Sequence, residues 1–154
     1  MEDQNNSVPI VAEIEIRYTP KIKPSERPKI VSPEDAYLIL LQTWDKAKIE
    51  LVEQFRVILL NRNRRVLGIT TLTSGTSTGT IADPKQVFGL ALKANATEIM
   101  ISHNHPSGSV LPSKSDQELT RKMKIVGQFL ELKVIDHIIV SVEGFYSFAK
   151  EGCI

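Results

Sequence analysis

The sequence predicts an α/β protein in which a mixed sheet is flanked by helices. Three observations support this. Apolar, β-prone runs occur partly as hairpins, helical segments opened by cap residues are interleaved with them, and 42% of the 154 residues are hydrophobic. A chain of this length can bury roughly 70% of the surface its unfolded form exposes, so one ordinary core is available.

The elements follow in order. Val11 to Tyr18 alternates apolar and polar residues, the period of a half-buried strand at an edge or in an accessory position. Residues 19–30 carry Pro20, Pro24 and Pro28 and read as a linker. Ser32 before Pro33, Glu34 and Asp35 starts a helix whose Tyr37, Leu40, Leu41 and Trp44 share one face. The domain proper is expected over 32–154, preceded by the strand and linker of 1–31. Phe55 to Leu60 and Val66 to Leu72 form a hairpin around the polar turn Asn61 to Arg64, and SGTSTGT (74–80) is a loop. Asp83-Pro84 opens a second helix with Val87, Leu90, Ala91 and Ala94 on one side. Glu98 to Ser102 is a short buried strand, and HNHPSGSVLP a loop. Lys114 to Leu132 is a long helix with Leu119, Met123, Val126 and Leu130 inward, and Val134 to Ser141 and Phe145 to Phe148 close the sheet around Glu143-Gly144.

Composition excludes several classes. The 19 Lys and Arg nearly balance the 18 Asp and Glu, which speaks against a disordered tail and a strongly basic nucleic-acid binder. Cys153 is the single cysteine, so neither an internal disulfide nor a thiolate zinc cage can form. The N-terminus MEDQNNSVP is unlike a signal peptide and no long apolar run occurs, so a cytoplasmic protein without a membrane partner is expected.

The chemistry concentrates in ISHNHPSG and the SKSD that follows. His103 and His105 lie two apart at a strand end, where extended backbone aims positions i and i+2 at the same side. Asp116 stands eleven residues beyond His105 in the first turn of the next helix, where a returning loop can bring its carboxylate to them. Two imidazoles and a carboxylate are the donor set of a catalytic zinc site with one position left for water. Each piece has a plainer reading as well. Paired histidines at a loop mouth are often solvated, and Ser113-x-x-Asp116 has the form of a capping box. His137, among apolar neighbours in VIDHIIV, reads as a hydrogen-bonded core histidine rather than a fourth ligand, with a supporting role to the site left open. The SGTSTGT loop lacks the Gly-Lys-Ser/Thr ending of a phosphate-binding loop and is placed instead at the border of a cleft. The clusters Asn61 to Arg65 and Arg121 to Lys124 read as solvated faces, with nucleic-acid contact as the alternative.

The whole string, H-x-H followed after seven residues by Ser-x-x-Asp, resembles the signature of the JAMM (JAB1/MPN) metalloprotease superfamily at every fixed position. HNHPSG within IMISHNHPSGSVLPSKSDQELT is similar to its RadC branch, and a looser resemblance runs from about Glu53 to Phe148. The resemblance implies a JAB1/MPN-like, cytidine-deaminase-like three-layer fold. It also implies one zinc ion per chain held by His103, His105 and Asp116, with Ser113 beside the ligands or near a developing oxyanion. A glutamate ahead of the Phe55 strand would act as general base, with Glu53 the best match and Glu50 the alternate. Longer RadC members carry a helix-hairpin-helix-like N-terminal region, whereas residues 1–50 here read as a strand, a linker and a helix.

The reading that results is a zinc-dependent hydrolase of peptide or isopeptide bonds, with a peptide or protein substrate. A metal-dependent DNA-processing or DNA-repair-associated factor contacting nucleic acid is one competitor, and a non-catalytic MPN binding module is another. Homo-oligomer formation is left open. A nucleobase deaminase is excluded because H-x-E and P-C-x-x-C are missing.

Overall fold

The Ser32 hydroxyl accepts the amide of Asp35 while the Asp35 carboxylate accepts the amide of Ser32, and this closed capping box starts α1 (Pro33–Thr43). The computed structural model describes residues 12, 15, 17–75 and 82–154. After α1 come β1 (Gln54–Leu60), β2 (Val66–Ser74), α2 (Pro84–Lys93), β3 (Glu98–Asn104), α3 (Lys114–Phe129), β4 (Lys133–Val140) and β5 (Phe145–Ser147). The strands lie in the order β2-β1-β3-β4-β5. Only the β3–β4 neighbours are parallel, as expected where a helix, α3, forms the crossover between them.

Two apolar layers sandwich this mixed sheet. On one face Phe55, Val57, Ile99 and Ile101 pack with Val87, Phe88 and Ala91 of α2 and Met123 of α3. On the other, Ile58, Leu60, Met100 and Ile138 pack with Ala36 and Leu40 of α1 and with Trp44. Strand β1 is buried along its whole length, which explains why Phe55 to Leu60 is apolar at every position but Arg56 rather than alternating. The chain therefore has the α/β three-layer architecture expected of a JAB/MPN-like fold.

Three expectations are corrected or refined. The third helix ends at Phe129, and Leu130 is 40% exposed rather than inward. Its buried line is Asp116, Thr120, Met123 and Gly127, so two polar residues occupy positions that an apolar pattern cannot reveal. The proline segment is docked on the sheet edge: Val66 donates to the Pro28 carbonyl, Ile30 donates to Arg64, and Ile30 is buried. Strand β3 runs two residues beyond Ser102, taking His103 and Asn104 into the sheet. Half of the alternating stretch Val11 to Tyr18 falls outside the described residues, as do positions 76–80 of the SGTSTGT loop.

Gly127 marks the tightest approach between α3 and its exit. The Leu132 amide returns to the Gly127 carbonyl at 2.9 Å, and a Cβ at 127 would stand 2.4 Å from the Leu132 carbonyl oxygen. Gly127→Ala is therefore expected to lower the unfolding free energy by about 1–3 kcal/mol, read from the denaturation midpoint.

Candidate metal centre

The C-terminal ends of the parallel pair position the site. Pairing of His103 with Phe55 on one side and Ile139 on the other holds the strand straight to its last residues. His105 follows two residues later and donates its amide to the Val140 carbonyl, so both rings emerge on one side. Pro106 then turns the chain. The Gly108 amide closes on the His105 carbonyl, and Gly108 adopts φ 82°, a left-handed conformation that glycine takes without the steric cost of a Cβ. Through this turn the loop returns to the N-terminus of α3.

There the two readings of Asp116 prove compatible. The Ser113 amide and hydroxyl both donate to Asp116 Oδ2 at 2.7 Å, and the Asp116 amide donates to Ser113 Oγ, completing a capping box. The other carboxylate oxygen, Oδ1, lies 3.2 Å from His103 Nε2. His103 Nε2 and His105 Nε2 are 3.0 Å apart, and His105 Nε2 is 3.7 Å from Asp116 Oδ2. With one donor atom taken from each residue, the three lie within 4.8 Å of one another, in the neighbourhood of the roughly 3.3 Å edges of a tetrahedral ion with bonds of about 2.0–2.1 Å. The three residues thus form a group, buried at His103 and Asp116, that can hold a metal ion.

The electrostatics match that use. Burial alone would raise the Asp116 carboxyl. The neighbouring imidazoles of His103 and His105 and the hydrogen bonds from Ser113 outweigh it and hold the group far below the usual carboxylate range. His105 is pushed up by Asp116 against the opposing effect of burial, and the charge of Glu53 adds to the rise.

Glu53 sits half-buried immediately before β1, with its carbonyl accepting the Gly75 amide. Its position is set by Asn104, a residue to which the sequence assigned no role. Buried completely, the Asn104 amide accepts from the Gln54 amide at 2.7 Å and donates to the carbonyls of Ile49 at 2.6 Å and Val52 at 2.9 Å. The middle residue of the HNH string therefore clamps the backbone on both sides of Glu53. Glu50 is exposed and lines a hollow with Leu41, Trp44 and Ile49. His137 is the buried, hydrogen-bonded histidine that its apolar neighbours suggest, 2.8 Å from His103 Nδ1 and stacked on Phe148. Thr120, beneath it on α3, carried no signal in the sequence beyond a polar residue at an inward helical position.

A trio able to hold a metal at the carboxyl ends of strands in such a sheet is the arrangement expected of a JAB/MPN-like domain. Residues 30–153 match the RadC-like JAB domain, and the chain belongs to that family. Its relatives include a UPF0758 protein of Thermotoga maritima, 43% identical over 100 residues covering 65% of this chain and 45% of the relative. Another, from Flavobacterium johnsoniae, is 38% identical over 124 residues, 80% of this chain and 53% of the relative. UPF0758 protein SH1266 of Staphylococcus haemolyticus is 38% identical over 128 residues, covering 83% and 55%. The chain spans about half the length of these relatives.

Two measurements follow from this geometry. Asn104→Ala, which strips two buried and one half-buried backbone groups of their partner, is expected to cost about 2–4 kcal/mol in denaturant unfolding. Ligation requires a deprotonated His105, whose value is raised above 6.5. Titration with zinc is therefore expected to show affinity that begins to fall at a pH above about 6.5 and drops about tenfold per unit below the raised value. The metal-free fold has the opposite sign, since the stabilisation from His105 is complete below its unfolded value and lost as the pH rises through its folded one.

Proposed function

We propose that the protein is a zinc-dependent hydrolase that cleaves peptide or isopeptide bonds. The observation that carries this reading is the grouping of two imidazoles and one carboxylate, without a thiolate, at the end of β3, where the charge of Glu53 acts on His105. His103, His105 and Asp116 would hold the ion. Bound there, zinc would supply Lewis-acid chemistry, lowering the pKa of water toward about 7 and polarising a carbonyl.

The remaining work falls to the chain's own groups. The Glu53 carboxylate, on backbone that Asn104 ties down on either side, accepts the proton of the attacking water and passes it to the departing amine. Ser113 holds Asp116 in place, because its one hydroxyl proton is committed to Asp116 Oδ2. Of the two upstream acids, Glu53 is the base in this proposal, since its charge acts on His105 while Glu50 lies exposed beside a separate hollow.

The DNA-processing reading draws little from the basic turn. Arg64 pairs with Glu98 at 3.3 Å, and Arg65 donates to the carbonyls of Ser25 and Arg27. Those cations have intramolecular work. No described helix is long and apolar enough to cross a membrane.

Metal analysis of the purified protein is expected to give about one zinc per chain, absent from His103→Ala and Asp116→Ala. Glu53→Gln is expected to retain the metal and slow hydrolysis of a responsive library peptide by at least about 100-fold. Stoichiometric zinc in both ligand variants, or full turnover by Glu53→Gln, defeats the assignment.

A further inference from the structure

Behind His103 the structure holds a continuous line of buried polar atoms. His103 Nδ1 lies 2.8 Å from His137 Nε2, His137 Nδ1 lies 2.6 Å from Thr120 Oγ1, and Thr120 Oγ1 lies 2.6 Å from the Asp116 carbonyl oxygen. His137 is fully buried, with its ring stacked on Phe148 at 4.8 Å and 8°. Both of its nitrogens are thereby engaged within the line.

The last atom sets the direction of every bond. A carbonyl oxygen can only accept, so the single hydroxyl proton of Thr120 is donated to Asp116. Were that proton turned toward His137 instead, two acceptors would face each other at 2.6 Å. Thr120 Oγ1 therefore accepts from His137 Nδ1–H. His137 is 0% exposed and its ring nitrogens meet His103 and Thr120, so an imidazolium there would be a buried charge with no carboxylate among the described residues bonded to it; the ring is neutral and Nε2 is an acceptor. His103 must then donate through Nδ1.

We infer that Thr120 and His137 are positioning residues that fix the proton of His103 on Nδ1, so that its Nε2 lone pair faces His105 and Asp116 as a metal ligand. The line begins and ends on ligand residues: the backbone carbonyl of Asp116 dictates the tautomer of His103. A carboxylate 3.2 Å from His103 Nε2 would by itself draw a proton to that nitrogen, the wrong one for ligation. The relay opposes this by making Nδ1 the obligatory donor. A one-residue bulge in β4 makes the contact available. Ile99 pairs with Val134 but Met100 pairs with Asp136, and the extra residue brings His137 level with Ile101 on the α3 side of the sheet.

The inference rests on the proposed metal site, but its first readout is made without metal. Long-range proton–nitrogen NMR of the metal-free protein with labelled histidine is expected to show the His103 and His137 protons on Nδ1. In Thr120→Val, His137 has no acceptor at Nδ1, so its proton is expected to move to Nε2 and that of His103 to Nε2. Zinc affinity, measured against a competing chelator, is expected to fall about tenfold or more, and Thr120→Ser to restore both readouts. A wild-type His103 lacking a proton on Nδ1 overturns the inference whatever the variants do. So do wild-type tautomers together with wild-type zinc affinity in Thr120→Val. A wild type with Nδ1 protonated that binds no zinc refutes the metal reading instead and supports the polarity of the line.

Discussion

The two oxygens of one carboxylate join the fold to its site. Asp116 Oδ2 takes the amide and hydroxyl of Ser113 and so starts α3, while Oδ1 faces His103. Because α3 begins at that cap, the helix stands where its first turn meets the end of β3. The same side chain is then held low enough in pKa to remain charged in a buried place. Cap and candidate ligand are one residue with two faces.

The sheet explains why this happens at one end only. Strands β3 and β4 are parallel, so α3 must cross from the end of one to the start of the other, and its N-terminus lies over the carboxyl ends. Ligands of open α/β sheets gather at such ends, where loops and helix N-termini meet. The hollow lined by Arg64, Gly127, Glu131 and Lys133 lies at the opposite end, where β4 begins, and holds none of the trio. The antiparallel neighbour β1 brings a further segment to the same place, because Asn104 at the tip of β3 ties down the backbone around Glu53.

Much of this was legible beforehand. Apolar, β-prone runs marked β1 and β2, Ser32 announced a helix cap and Ser113 a capping box. The H-x-H and Ser-x-x-Asp spacing pointed to the three residues that the fold brings together. Less legible was anything polar that faces inward. Asp116 and Thr120 interrupt the apolar stripe of α3, so a periodic reading shifted the inward face toward Leu130, which the left-handed Glu131 and the return of Leu132 to Gly127 leave exposed. Asn104 likewise looked like a loop residue between two histidines, because its partners lie about fifty residues earlier in the chain.

The sequence by itself determined the donor chemistry and the local geometry: which residues can ligate, which caps start the helices, and that positions two apart in a strand share a side. Those properties depend on backbone periods and side-chain type, which are written into neighbouring residues. Tertiary structure alone decided which way His137 turns, since a single bulge in β4 reverses the alternation and no local pattern marks it. It also decided what stands behind His103 and what holds Glu53. These are contacts between segments that only the order of strands in the sheet brings together.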